Sequence, residues 1–183
     1  MPDNLLTLVI NLEGSTQRLE SVGTDLDAAE ITWQRLDAVD FRGRKPHEIT
    51  NYDSAKCHIR HDGDLTGGEM GCVLSHLKAL KTFLQGDADF VLVLEDDASV
   101  PKDAVAILDG LLTGLNDFAP NGWDAVFPAL TSKGYDASRV FLCRSACLAH
   151  QFHTLWRACD HLVTRRRAIL SGQSVRPNDR GPD

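Results

Sequence analysis

The chain has 183 residues, 43% of them hydrophobic, which suits one domain with a real core, or one domain and an appendage. Its formal charge of -7 and pI near 5.4 argue against a general nucleic-acid binder, and no basic stripe interleaved with aromatics runs through the first 140 residues. The N-terminal apolar run, Leu5 to Ile10, is too short to span a bilayer and has no basic region or cleavage site beside it, so a cytoplasmic protein, or one peripheral to a membrane, is expected.

In chain order, Leu5–Asn11 predicts the first strand, with Gly14 and Ser15 as turn and helix cap. Leu19, Val22, Leu26 and Ala29 recur at helical spacing and predict a helix over 16–29. Ile31 to Leu36 reads as a second strand, with Asp37 and Asp40 flanking its end. Strand, helix and strand within about thirty residues make one βαβ unit. Neither G-x-G-x-x-G nor G-x-x-x-x-G-K-S/T is present, which counts against a dinucleotide fold or a nucleotide triphosphatase.

Residues 41–64 are polar and read as a long loop with one short helix, a length that points to function or mobility. Thr66 and Glu69 have capping-box spacing, although the intervening Gly67 and Gly68 weaken it. From Met70 onward, Val73, Leu74, Leu77, Leu80 and Leu84 form the apolar face of a helix, with Ser75, Lys78 and Lys81 elsewhere. His76 either points toward the sheet edge or is a satisfied structural histidine.

Phe90–Leu94 is an unbroken apolar run, as in a parallel strand covered on both faces. It stops at Glu95, Asp96 and Asp97. Adjacent carboxylates repel, so such a strand end faces either solvent, as a turn, or a divalent cation. The carboxyl ends of parallel strands are also where open α/β sheets bind ligands. Pro101 and the run Ala104–Leu112 predict the next helix, followed by a loop over 116–122. Strands are expected at Trp123–Leu130, carrying Asp124, and at Arg139–Leu142.

The composition changes at residue 143. Residues 1–142 hold 12 Lys and Arg against 23 Asp and Glu, whereas 143–183 hold seven Arg, no Lys and three Asp. This divides the chain into an α/β domain, 1–142, and an Arg-rich tail, 143–183. In the tail, Phe152 to Val163 predicts an amphipathic helix, and the last dozen residues have a disordered composition. Arg165, Arg166 and Arg167 would meet a nucleotide diphosphate or an anionic membrane surface, or form a solvated helix end.

Five cysteines, Cys57, Cys72, Cys143, Cys147 and Cys159, argue for thiols rather than a disulfide framework in an unexported chain. Cys57 lies near His58 and His61, and Cys72 near His76. His150, His153 and His161 are scattered among the last three cysteines. There is no Cys-x-x-Cys pair, and the spacings match no common structural zinc site.

Four pieces, in order and spacing, resemble glycosyltransferase family 25, which includes bacterial lipooligosaccharide galactosyltransferases and collagen hydroxylysine galactosyltransferases. They are Val9-Ile10-Asn11-Leu12 with Arg18, Leu36-Asp37-Ala38-Val39-Asp40, Leu65-Thr66-Gly67-Gly68-Glu69-Met70-Gly71-Cys72-Val73-Leu74-Ser75-His76, and Leu94-Glu95-Asp96-Asp97. The third is the most specific, its pattern being Gly-Glu-Ile-Gly-Cys, one or two apolar residues, then Ser-His. The likeness is strong over 5–100 and weak from Trp123 to Phe127.

The resemblance implies a GT-A-like nucleotide-sugar-binding α/β/α sandwich with a mostly parallel sheet. It implies inverting transfer of a hexose, typically galactose, from a UDP-sugar to a saccharide or hydroxylysine hydroxyl. The acidic motif would hold Mn2+ or Mg2+ on the donor diphosphate, with Asp97 as direct ligand, Asp96 binding through water or holding a ribose hydroxyl, and Glu95 as ligand or orienter. Asn11 and Arg18 would sit beside the nucleotide. Asp37 and Asp40 would contact uridine or ribose, or merely cap turns. Glu69, Asp124 and His76 are the candidates for general base, with Glu69 equally a capping residue. An acceptor half like that of longer members cannot be located after residue 130. That fits a truncated, frame-shifted or minimal chain, and leaves an inactive relative that binds nucleotide sugar or a partner as the alternative. A metal-dependent phosphoryl-transfer enzyme is a third reading.

Overall fold

A computed structural model describes residues 4–49, 52–61, 63–119, 125–126 and 140–144. In chain order the elements are β1 (Leu5–Asn11), α1 (Thr16–Ala28), β2 (Gln34–Asp37), a 3-10 turn (Pro46–Glu48), α2 (Ser54–His61), α3 (Gly67–Leu84), β3 (Phe90–Glu95), α4 (Ala104–Phe118), β4 (Ala125–Val126) and β5 (Val140–Arg144). The sheet order is β2-β1-β3-β5-β4. β2, β1 and β3 are mutually parallel, and β5 runs antiparallel to both β3 and β4.

Strand alternation sorts the apolar residues onto two covered faces. Leu8, Ile10, Leu36, Val91 and Val93 pack against Ala79, Leu80 and Phe83 of α3. Val9, Leu92 and Leu94 pack against Val22 and Leu26 of α1 and Ala104 and Leu108 of α4. The result is the expected α/β/α sandwich around a mostly parallel sheet. All four residues from Val91 to Leu94 are at most 1% exposed. Truncating one of them, as in Leu92→Ala, is expected to cost about 2–5 kcal/mol.

Several boundaries differ from the sequence expectation. β2 starts at Gln34, not Ile31, because residues 31–33, beyond the α1 C-cap at Ala29, fold back against the last turn of α1. Glu30 reverses the chain at φ +57°, the Ile31 amide donates to the Leu26 carbonyl at 3.0 Å, and the Trp33 indole donates to Asp27 at 2.9 Å. α4 runs through Phe118, beyond the predicted loop start at 116, since its apolar stripe continues through Leu111, Leu112 and Leu115 onto the core. α3 begins at Gly67, directly after the Thr66 cap that the spacing to Glu69 suggests, and so includes both glycines. The Glu69 amide donates to Thr66 Oγ1 at 3.2 Å, and the Thr66 amide donates to Glu69 Oε2 at 2.7 Å. This reciprocal cap outweighs the cost of the two glycines.

The long polar stretch before α3 is anchored by a satellite core of Phe41, Cys57, Leu65, Met70 and Val73. The Tyr52 and Ser54 hydroxyls both donate to Asp64, at 2.9 and 2.7 Å. β5 continues through Cys143 and Arg144, across the change in composition. The helix predicted over Phe152–Val163, the arginines 165–167 and the cysteines and histidines from Cys147 onward lie outside the described residues. Among the described residues no helix is long and apolar enough to cross a membrane.

Candidate active site

β1 hands the chain to β2 on one side and, after a long excursion, the chain returns as β3 on the other. The crevice beyond the ends of β1 and β3 is therefore a topological switch point. Ile10 is level with Glu95 in the ladder, so Asn11 and Asp96 meet just past it. The Asn11 side-chain amide donates to Asp96 Oδ2 at 2.8 Å and to the Ser15 carbonyl at 3.0 Å. Its Oδ1 accepts from Arg35 Nε at 3.0 Å, and Arg35 pairs with Asp37 at 2.6 Å. From the first turn of α1, Arg18 reaches Asp96 at 3.0 Å and approaches Asp97 at 3.9 Å. A buried carboxylate is costly unless paired, and Asp96 has both an amide and a guanidinium.

The three consecutive acids diverge, as alternation along an extended chain requires. Glu95 turns toward α3, where its Oε1 lies 3.5 Å from Cys72 Sγ and 3.5 Å from His76 Nε2. Cys72 and His76 stand one helical turn apart. The ligand-capable atoms of Cys72, His76 and Glu95 all lie within 4.8 Å of one another, a candidate metal-holding cluster.

Both groups of side chains open onto one cavity of about 270 Å³, whose walls are the ends of β1 and β3, the segment Ala38–Arg42 and the first turns of α3. The third wall is seated on small residues. Gly67, Gly71 and Ser75 recur every four residues on one face of α3. A Cβ at Gly71 would lie 2.6 Å from the Val39 carbonyl, and one at Gly67 would collide with the Phe41 carbonyl. Ser75 Oγ accepts from the Val39 amide at 2.8 Å and donates to the Gly71 carbonyl at 2.6 Å. Ser75 is 1% exposed, so it belongs to the inward face rather than to the outer one expected from the sequence. On the rim, Arg42 grips Asp40 through both side chain and backbone and holds its carboxyl at about 2, against an ordinary 3.8.

This geometry lies within the portion of the chain that a family model recognises. The model for glycosyltransferase family 25 (LPS biosynthesis protein) matches residues 5–151. The chain belongs to glycosyltransferase family 25. No curated protein matches it. The α/β sandwich is consistent with the GT-A-like architecture expected of this family.

Of the residues singled out from the family 25 motifs, Arg18, Asp40, His76, Glu95, Asp96 and Asp97 line the cavity. Asn11 stands behind Asp96 as its hydrogen-bond donor. Asp37 is not among the lining residues, and its carboxylate is 69% exposed beside Arg35. Glu69 is also absent from the lining, and its Oε2 is engaged by the Thr66 amide and hydroxyl. His76 is 2% exposed and directed toward the sheet end rather than the helix surface. Asp124 lies outside the described residues. The sequence does not single out Arg35 or Arg42. The signal for Cys72 is its i, i+4 spacing to His76 at the front of a helix aimed at an acidic strand end.

Proposed function

We propose that this family 25 chain moves a hexose, galactose in the first instance, from a UDP-sugar to a saccharide hydroxyl of lipooligosaccharide or a similar glycan, with inversion at the anomeric carbon. The observation that carries the reading is the convergence of Asp96, Asp97 and Arg18 in one cavity at the β1/β3 switch point. Asp96 and Asp97 offer the hard oxygen donors that Mn2+ or Mg2+ prefers, and Asp97, with its side chain 29% exposed, is the better presented. When bound there, the ion supplies charge neutralisation for a diphosphate leaving group.

The chain's own residues then divide the work. Arg18 exchanges part of its contact with Asp96 for a donor phosphate oxygen. Asn11 keeps Asp96 oriented. Asp40, on the rim, is positioned for ribose or uridine hydroxyls, and Asp37 lies farther along the same edge. Inverting displacement needs a base on the side opposite the leaving group. Of the three candidates, His76 lines the cavity, Glu69 is committed to its cap, and Asp124 remains a candidate from sequence. The proposal assigns the chain to the cytoplasmic side of the inner membrane, with the Arg-rich segment from 143 as its contact with anionic lipid.

The test is calorimetry with UDP, with and without Mn2+, followed by transfer assays with UDP-galactose and a saccharide acceptor. Mn2+-dependent UDP binding and turnover that falls at least about hundredfold in Asp97→Asn, with folding intact, are expected. UDP binding without turnover of any donor would support a non-enzymatic member instead. Unchanged turnover in Asp97→Asn would end the metal assignment.

A further inference from the structure

Cys72, His76 and Glu95 offer a donor set that a diphosphate-bound Mg2+ or Mn2+ does not call for. We propose that they form a second cation site, for a borderline divalent ion of the Zn2+ class, with its open coordination position facing the cavity. The separations point that way. Glu95 Oε1 stands 3.5 Å from both Cys72 Sγ and His76 Nε2. For a nitrogen–oxygen hydrogen bond this is slack, since such bonds centre near about 2.9 Å. Two ligand atoms held about 2.0–2.3 Å from one tetrahedral ion stand about 3.3–3.8 Å apart, which is the spacing of Glu95 to each of the other two, and the Cys72 and His76 donor atoms lie within 4.8 Å of each other.

The donors are also fixed in place. α3 presents Cys72 and His76 from consecutive turns, and its first turns are held by the Thr66–Glu69 cap and by Ser75 against Val39. β3 brings Glu95 from the middle of the sheet. His76 is 2% exposed and Glu95 8%, so little side-chain ordering remains to be done on binding. Thiolate, imidazole and carboxylate together suit zinc better than magnesium or manganese, which favour all-oxygen shells. Three protein ligands with a fourth position open is the arrangement of reactive rather than purely structural zinc sites. All three residues line the cavity, so that fourth position looks onto it. Asp96 is turned to Asn11 and Arg18 and does not enter the set.

The site stands whether or not the chain transfers sugar, and with its ring nitrogen on the ion His76 would leave the set of general-base candidates. The experiment titrates the reduced full-length protein with Co2+ and then Zn2+. One Co2+ is expected per chain, with a thiolate-to-metal charge-transfer band in the ultraviolet and tetrahedral bands in the visible, all bleached by one equivalent of Zn2+. Cys72→Ser is expected to remove the ultraviolet band and weaken Zn2+ binding at least about tenfold, and His76→Gln to weaken it similarly. Asp97→Asn is expected to leave spectrum and stoichiometry unchanged. Cys72 is only partly buried, so its serine variant is the deciding one if His76→Gln fails to fold. Absence of stoichiometric binding would overturn the proposal. So would an ultraviolet band that survives Cys72→Ser, which would assign the metal to another thiol, or loss of binding in Asp97→Asn, which would move it to the other acids. The readouts are absorbance and binding, so failure here leaves the glycosyltransferase reading intact, and failure of UDP binding leaves this site intact.

Discussion

The side-chain amide of Asn11 donates to Asp96 across 2.8 Å, joining the ends of two parallel strands that are 85 residues apart in sequence. Both residues are nearly inaccessible, at 2% and 9% exposure. Asn11→Ala leaves Asp96 with Arg18 and without its amide, a loss expected to cost about 1–3 kcal/mol. Asn11→Asp is expected to cost more, because it sets a second carboxylate against the first. Urea unfolding of the two variants at neutral pH checks the order. Equal stabilities would mean that the contact contributes little.

Gly71 and Gly68 differ by three positions on α3 and make opposite predictions. A methyl at Gly71 meets the Val39 carbonyl, whereas nothing lies within 4 Å of one at Gly68. Gly71→Ala is therefore expected to destabilise by about 1–3 kcal/mol. Gly68→Ala is expected to be neutral or stabilising by up to about 1 kcal/mol, through reduced freedom of the unfolded chain. Thermal melts of the pair decide it.

The Asp40–Arg42 contact fixes a pH window. Asp40 is depressed to about 2 from 3.8, first by the Arg42 side-chain hydrogen bonds and then by the Arg42 backbone amide. A carboxylate with a lowered folded value stabilises the fold above its ordinary value and loses that contribution as pH falls through the folded one. The contact should thus persist at pH 4 and weaken toward about 2. Carboxyl-carbon NMR of Asp40 should give a midpoint well below that of an unpaired aspartate, and Arg42→Gln should return it toward 3.8.

Glu69 carries two incompatible roles, and one substitution separates them. If its carboxylate serves the cap, Glu69→Gln preserves both reciprocal bonds, since glutamine also suits this box. Turnover and stability should then stay within a few-fold of the parent, while Thr66→Ala loses about 0.5–2 kcal/mol. A large loss of kcat in Glu69→Gln with unchanged stability would restore Glu69 as the base.

Local patterns in the sequence carried much of the architecture. Short apolar runs marked β1 and β3, and the Thr66–Glu69 spacing marked the start of α3. Relationships between elements were less legible. Ile31 has the composition of a strand residue, but the positive φ at Glu30 returns it to the core beside Leu26. Ser75 reads as a polar outer-face residue until the Val39 amide is seen above it. Glu95, Asp96 and Asp97 look like one cluster in a linear reading. The pleat sends Glu95 to α3 and Asp96 to α1, and only the meeting of α3 with β3 brings Glu95 to Cys72 and His76.

The close approach of the Val39–Phe41 backbone to Gly67 and Gly71 bears on redesign. With only hydrogen atoms between that strip of main chain and the helix, this side of the cleft cannot be widened by trimming side chains beneath it, because there are none to trim. Attempts to reshape this side of the cleft should begin at Arg42, which lines it and whose guanidinium is held by an exposed pairing with Asp40.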